Sequence, residues 1–399
     1  MHVVFTADQH LASGGGAQVS MRLQRAYLRR AGWQVSVVTP WSAAARRQAA
    51  AGAADAGDIV VPGIPLTVDR EYGAALAGSG SDRVIDTALA SRPAVDLVHV
   101  QGDFWGAFHG YRLAARQGVP VVHTFHNHLG VGLEATVPAP RLVLRGFAAW
   151  QRRALGGVRR DGVAGYLGAF ADRADAVVAP SSHFAEWLQR TGIAREVEVI
   201  PTGVDDDLLQ AALAVPKPPL AGRRPRLLWL GRFSAEKRPV EFARALVAAA
   251  LPVDVELVGG GSLAGRVRRI LDSAASTRSA SMPGRVPYAD ALARIRRADA
   301  VVLTSVGFET QGMTAYEAAA LGTPALIADP VIAAELPGTN WTLPRSDDFE
   351  STLAAGLRRA VAELESGSAP VPDPSWARTL RQSVQTRRML HLYARASAP

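Results

Sequence analysis

Glu309 and Glu317 lie eight positions apart in the stretch GFETQGMTAYEAAALGTP at residues 307–324, with Gly312 between them. The apolar run at 300–303 before them reads as a buried parallel strand. Residues 314–321 read as a helix stopped by Gly322 and Pro324. Backbone N–H groups at Gly312, Met313 and Thr314 point out of that helix start, where the dipole favours an anion. A carboxylate in the loop and another in the first turn would repel a bare phosphate. Both can accept hydrogen bonds from sugar hydroxyls flanking one. The chemistry that fits is a nucleotide-sugar site; two solvated glutamates near a helix start are the plainer alternative.

A cationic counterpart is GRFSAEKRP at 231–239, directly after the apolar run at 226–230. In a parallel sheet, ligands bind beyond the strand carboxyl ends, where this segment falls. Arg232 and Lys237 can neutralise a diphosphate there. Only two of the 44 basic residues are lysines, Lys217 and Lys237. That bias fits a GC-rich coding sequence and makes each lysine worth a question. A basic surface turn is the alternative.

In the first half, Gly14, Gly15 and Gly16 separate the first strand from the first helix. They lack the G-x-G-x-x-G spacing, so the dinucleotide signal is weak and an ordinary strand-to-helix loop remains open. His123, His126 and His128 fall in HTFHNH. In an extended chain His123 faces away from the other two, and no nearby carboxylates complete a zinc site. His126 is open to a sugar contact or a structural role. Asp103 reads as a solvated loop acid or an acceptor contact. Asp205-Asp206-Asp207 mimics a metal motif but suits a helix or turn start.

The elements that must position these groups alternate β and α. Strands are expected at 2–7, 34–39, 96–101, 120–125, 176–179 and 196–200. Helices are expected at 17–31 and 107–117, with another capped near Ser181 or Ser182. A second series starts at 226–230 and continues at 253–258, 300–303 and 324–327. Strands separated by helices argue for parallel doubly wound sheets. The domains read as 1–210, a proline-rich linker at 211–225, 226–373, and a last helix within 374–399. Gly78-Ser79-Gly80-Ser81 reads as a flexible loop.

Residues 307–324 and 231–239 resemble the E-x7-E signature and the Gly-Arg…Lys-Gly element of family-4 retaining glycosyltransferases. The resemblance implies an α/β GT-B fold, two Rossmann-like doubly wound domains facing across a cleft. It implies that Glu309 bonds donor-sugar hydroxyls, Glu317 the nucleotide ribose, and Arg232 and Lys237 the donor diphosphate. His126 matches the family's Thr-x-His strand end, whose histidine reaches the donor sugar. Gly15 and Gly16 fit its glycine-rich loop, and residues 200–205 the element closing its N-terminal domain. Residues 258–262 and 284–287 resemble two further loops, the second bordering the nucleobase around Arg285 and Val286. Two positions depart from the pattern. Thr310-Gln311-Gly312 replaces the usual Gly-Phe-Gly, keeping Gly312 in register but suiting a different donor. Arg238-Pro239 stands where glycine is common. The last helix of such proteins crosses back onto the N-terminal domain.

The same resemblance implies an enzyme, a retaining glycosyltransferase moving a hexosyl unit from a nucleotide diphosphate sugar to an acceptor hydroxyl. The product would be an α-glycoside, with a cell-envelope lipid or glycan as acceptor, no cofactor beyond the donor substrate and no metal. A nucleotide-sugar epimerase or a catalytically silent sugar-nucleotide-binding protein are the rivals. The base, sugar and acceptor are left open.

Composition bounds the rest. A chain of 399 residues suits two ordinary domains, and the lack of cysteine excludes disulfides and thiolate chemistry. No signal-peptide pattern or bilayer-length apolar run occurs, so a cytoplasmic location is expected, including the cytoplasmic face of a membrane as a peripheral protein. The net charge of +8 comes without a nucleic-acid-binding signature. Residues 141–160 carry six arginines, no acid and interleaved apolar residues. Such a helix can lie on an anionic membrane surface or present an ordinary solvated face.

Overall fold

The computed structural model describes residues 1–13, 15–66, 70, 72–136, 139–156, 161–273 and 279–398, the side chains of 135 and 136 excepted. It divides into two compact units, Met1–Gly203 with Gln382–Pro399, and Val204–Arg381.

The first unit is built on β1 (His2–Thr6), β2 (Gln34–Pro40), β3 (Asp58–Val61), β4 (Leu97–Val100), β5 (Val121–Thr124), β6 (Ala176–Ala179) and β7 (Glu198–Val199). All are parallel, in the order β3-β2-β1-β4-β5-β6-β7. Successive side chains of a strand take opposite faces. Val4 accordingly joins Val98, Val100 and Phe108, while Val3 and Phe5 join Val122 and Val178. Two apolar faces require a layer of helices on each. The helix Trp105–Gln117 covers the first; Gly16–Arg30 and Gln382–Ala396 cover the second, through Met21, Leu28, Met389, Leu392 and Tyr393.

The second unit repeats the plan with β8 (Arg226–Leu230), β9 (Asp254–Val258), β10 (Ser279–Gly284), β11 (Ala300–Leu303), β12 (Ala325–Ile327) and β13 (Asn340–Thr342). Their order is β10-β9-β8-β11-β12-β13, again parallel. Strand order reverses between β1 and β4 in one sheet and between β8 and β11 in the other. At such a reversal two loops diverge at the carboxyl ends and leave a crevice for ligand.

Three local expectations need correction. Residues 211–214, placed in the linker, belong to the helix Asp206–Ala214. Asp205 caps it, its Oδ1 accepting from the Asp207 and Leu208 N–H groups at 3.0 Å, so the Asp205-Asp206-Asp207 run is a helix start. The single helix expected near 374–394 is two, Trp376–Thr379 in the second unit and Gln382–Ala396 in the first. Residues 78–81 are no loose loop: the Gly78 N–H donates to Ser81 Oγ at 3.0 Å at the start of the helix Ser79–Leu89.

The arginine-rich segment forms the helix Pro140–Leu155, with Arg159 and Arg160 outside the described residues. Leu144 and Ala148 are buried, Phe147 packs on Phe104, and Trp150 on Phe108 at 4.3 Å between ring centroids. Arg141, Arg145, Arg152 and Arg153 are exposed. The apolar face is therefore largely used by the protein core, and the outer face presents the arginines together with the exposed Leu142.

Candidate functional site

In the second unit the loops after β8 and β11 meet at the reversal point. After β8, the Gly231 N–H donates to Val258 O and the Phe233 N–H to Gly260 O, both at 3.0 Å. Those bonds need close backbone approach. A Cβ on Gly259 would lie 1.8 Å from Gly231 O, so only glycine fits. The buried Phe233 ring packs edge-on against Trp229. A 3-10 turn, Ala235–Lys237, follows; Arg238 has φ of 51°, and Pro239 opens the helix Pro239–Ala249. Arg238 thus takes the left-handed conformation for which glycine is the easier residue, and proline at the first helical position resumes the chain.

Lys237 is held from both ends. Its carbonyl accepts from Thr304 Oγ1 at 2.5 Å, and that hydroxyl accepts from Trp229 Nε1 at 2.9 Å. Its ammonium donates to Glu309 Oε1, and the Ser305 hydroxyl reaches the same oxygen at 2.7 Å. Burial alone would raise the Glu309 carboxyl; the Lys237 ammonium and Ser305 outweigh it and hold it below its ordinary range. Arg232 Nη2 bonds Glu236 at 3.0 Å and also lowers the Glu309 pKa through space. Asp329 anchors the loop, accepting the Gly307 N–H at 2.7 Å.

Gly312 precedes the helix Met313–Ala320 with φ of 74°, and a Cβ there would stand 3.0 Å from Ile332 Cγ2. The first turn carries no acidic side chain, so the Met313 and Thr314 N–H end of the dipole keeps its positive character. Glu317, deeper in that helix, is 6% exposed. Burial pushes its carboxyl up to about 7, against a hydrogen bond from the Tyr288 hydroxyl that lowers it. Arg285 is exposed beside Gly260, and Val286 packs half-buried on the core. Lys237, Glu309 and Arg232 are therefore brought together, with Gly312, Met313, Thr314 and Glu317 on the adjoining helix.

Gly15, Gly16 and His126 belong to the first unit. Gly15, with φ of 154°, precedes the helix that Gly16 opens; Gly14 is outside the described residues. The three histidines take different partners. His123 is buried with Nδ1 3.1 Å from the Tyr111 hydroxyl, His128 packs on Trp187, and His126 Nε2 lies 2.6 Å from Gln101 Oε1. Among the described residues no group of three His, Cys, Asp or Glu side chains could hold a metal ion. Asp103 is not a solvated acid: it is fully buried, accepting Asn127 Nδ2 at 2.8 Å. Nearby Asp8 accepts backbone N–H groups of Asp103 and Gly106 at 2.7 and 2.8 Å. Burial, then Asp103, push its carboxyl up to about 7. Asp8, Gln101, Tyr288, Ser305 and Thr304 carried no signal in the sequence; Ser305 meets Glu309 within one loop, and the others meet partners from distant segments.

The fold finds its counterparts among known proteins. A family model described as Glycosyltransferase Family 4 matches residues 14–208, and one described as Glycosyl transferases group 1 matches residues 224–363. The chain belongs to the family-4 glycosyltransferases, with their GT-B fold. A relative named D-inositol 3-phosphate glycosyltransferase, from Nocardiopsis dassonvillei, is 29% identical over 332 residues, covering 76% of this chain and 71% of its own. Among solved structures, HepE of Anabaena, in complex with UDP and glucose, has a TM-score of 0.68 at 16% identity over 99% of both chains. The pneumococcal O-GlcNAc transferase GtfA, in complex with UDP and GlcNAc, has 0.68 at 11% identity over 100% of this chain and 99% of its own. Sucrose-phosphate synthase of Thermosynechococcus elongatus has 0.60 at 22%, over 99% and 96%.

Proposed function

We propose that this glycosyltransferase moves a hexosyl unit from a nucleotide diphosphate sugar to an acceptor hydroxyl with retention, giving an α-glycoside. The observation that carries the reading is the Lys237–Glu309 pair at the β8–β11 reversal, beside Arg232 and the helix start at Gly312. The cations and the helix dipole neutralise charge developing on a departing diphosphate. Glu309 accepts from hydroxyls of the transferred sugar, Glu317 from the ribose, and Arg285 and Val286 border the base. Gly15, Gly16 and His126 serve substrate from the first unit. No residue is assigned as a glycosyl nucleophile, so displacement on one face, assisted by the leaving phosphate, is the mechanism proposed. The UDP complexes of HepE and GtfA support a uridine nucleotide as the first donor to try; a lipid or glycan is the acceptor class proposed, and the relative's name adds inositol phosphate to the acceptors to try.

The test is a thermal-shift panel of UDP-, GDP- and ADP-sugars, followed by product analysis with lipid and glycan acceptors. Nucleoside diphosphate must accumulate only when acceptor is present. Release without acceptor transfer, or binding without turnover on any acceptor, would end the proposal.

Glu309→Gln separates sugar from nucleotide. It should remove most transfer, by roughly one to two decades for a charged hydrogen bond. The affinity for free nucleoside diphosphate should hold or rise, because Lys237 loses its internal counter-ion. Isothermal titration with UDP, GDP and ADP measures this; a tenfold weaker nucleotide would contradict the assignment.

Among the described residues no helix is long and apolar enough to cross a membrane. Peripheral attachment through the helix Pro140–Leu155 is part of the proposal, on the strength of its exposed arginines. Replacing Arg152 and Arg153 by Gln should weaken binding to anionic liposomes about tenfold or more, at roughly 1 kcal/mol per basic residue. High salt should do the same. Indifference of the wild type to anionic liposomes at low salt would leave the helix as a solvated face.

A further inference from the structure

Two unlike donors meet at one oxygen of Glu309. The Lys237 ammonium and the Ser305 hydroxyl, the latter at 2.7 Å, both donate to Oε1. Ser305 is 5% exposed, and the Glu309 side chain 16%. Lys237 carries its charge on a flexible four-carbon stem, and an ammonium is a point donor with three rotating protons. It can follow the carboxylate through a range of angles. Ser305 is different: its side chain is short, and it sits four positions earlier in the same loop. Its hydroxyl has a single proton, whose destination among the described residues is Glu309 Oε1. The long cation supplies charge, and the short hydroxyl supplies direction.

Neither the cation nor the loop depends on that hydroxyl for its place. The Trp229 indole can only donate, and it donates to Thr304 Oγ1 at 2.9 Å. The Lys237 carbonyl can only accept, so the Thr304 proton goes to it, at 2.5 Å. The Lys237 backbone is thus tied to the end of β11 through Thr304. The loop is held at Gly307, whose N–H donates to Asp329 Oδ2 at 2.7 Å. Asp329 is fixed in turn, its Oδ1 accepting from the Val331 N–H at 3.0 Å. What the Ser305 hydroxyl adds is confined to the Glu309 carboxylate.

We propose that Ser305 is a positioning residue for the donor sugar: its hydroxyl fixes the direction in which Glu309 presents its carboxylate. The proposal rests on the reading of Glu309 as the contact to sugar hydroxyls. Such hydrogen bonds weaken steeply below about 120°, so a carboxylate free to turn loses part of the contact. The diphosphate contacts, from Lys237, Arg232 and the helix start at Gly312, are left as they are.

The experiment is isothermal titration of full-length protein with UDP, GDP and ADP and with their glucose conjugates. The ratio of sugar-nucleotide to free-nucleotide affinity isolates the sugar contact. Ser305→Ala should lower that ratio about tenfold, the worth of one hydrogen bond, with free-nucleotide affinity within about twofold of wild type. Ser305→Thr, which keeps the hydroxyl, should restore most of the ratio. In a Glu309→Ala background, which has already lost the contact, Ser305→Ala should cost nothing further. An unchanged ratio in Ser305→Ala, with a lowered one in Glu309→Ala, overturns the proposal and leaves Glu309 as a sugar contact. Equal losses for free and sugar nucleotide, or the same loss in both backgrounds, mark a general disturbance of the loop and overturn it too. An unchanged ratio in Glu309→Ala takes Glu309 away from the sugar and the positioning role with it, as does binding of none of these ligands. Should Ser305→Ala not fold, Ser305→Cys, whose thiol donates weakly, must show the same fall in the ratio.

Discussion

Lys237→Ala lowers kcat/KM for transfer by about two decades or more. A charge-assisted contact is worth roughly 1.5–3 kcal/mol, or about one to two decades, and here the loss is compounded. The ammonium is the partner of Glu309, whose side chain is only 16% exposed. Removing it leaves a carboxylate facing the place where an anionic diphosphate must sit. Lys237→Arg restores the charge but not a compact point donor, and recovers only part of the rate. The fold survives, because the Thr304 bond goes to the Lys237 backbone carbonyl and not to its side chain. Steady-state kinetics and a thermal melt check both statements. A kcat/KM near that of wild type would take Lys237 out of the site.

Glu317→Gln has a pH signature that no surface glutamate would give. The Glu317 carboxyl is raised from 4.5 to about 7, chiefly by burial. Across that window the folded protein keeps a proton that the unfolded chain has released, so stability falls as pH rises and levels off above 7. The ionised form costs up to about 3 kcal/mol of stability at pH 8. Glu317→Gln should therefore melt higher than wild type at pH 8 and alongside it near pH 4.5. For the ligand the sign is opposite. Ribose hydroxyls bond better to a carboxylate, so wild-type nucleotide affinity should climb between pH 6 and 8, while the variant retains only the titration of the nucleotide itself. At pH 8 the variant should bind about tenfold to a hundredfold more weakly. Parallel affinity curves for the two proteins would refute the ribose assignment.

The readable parts of the fold were those whose physics is local. β1, β2, β8 and β11 are covered on both faces, so they appear as apolar runs. The loops after β8 and β11 could be placed because a strand followed by glycine and charge is a short-range pattern. β10, Ser-Ala-Ser-Met-Pro-Gly, could not: it is a largely exposed edge strand with no apolar run, and its proline is tolerated only at an edge. β13 has three residues, too few for any period. The burial of Asp103 depends on Asn127 and on Tyr166, whose hydroxyl bonds the Asp103 carbonyl at 2.9 Å from 63 positions away. The Lys237–Glu309 bond spans 72 positions. Pairings of that kind are made by sheet topology, which composition does not announce.

The passage of the chain out of the first unit at Gly203 and back at Gln382 has a consequence for biosynthesis. Met389, Leu392 and Tyr393 complete the apolar layer over Val3, Phe5, Val122 and Val178. A nascent chain therefore holds part of one face of its first sheet, the part not covered by the helix Gly16–Arg30, open while about 180 further residues are made, roughly 10–40 s at ordinary elongation rates. The second unit, contiguous from Val204 to Arg381, can close during that wait. The domain begun first is finished last, and the apolar surface that Met389, Leu392 and Tyr393 later cover waits for the chain's own last helix.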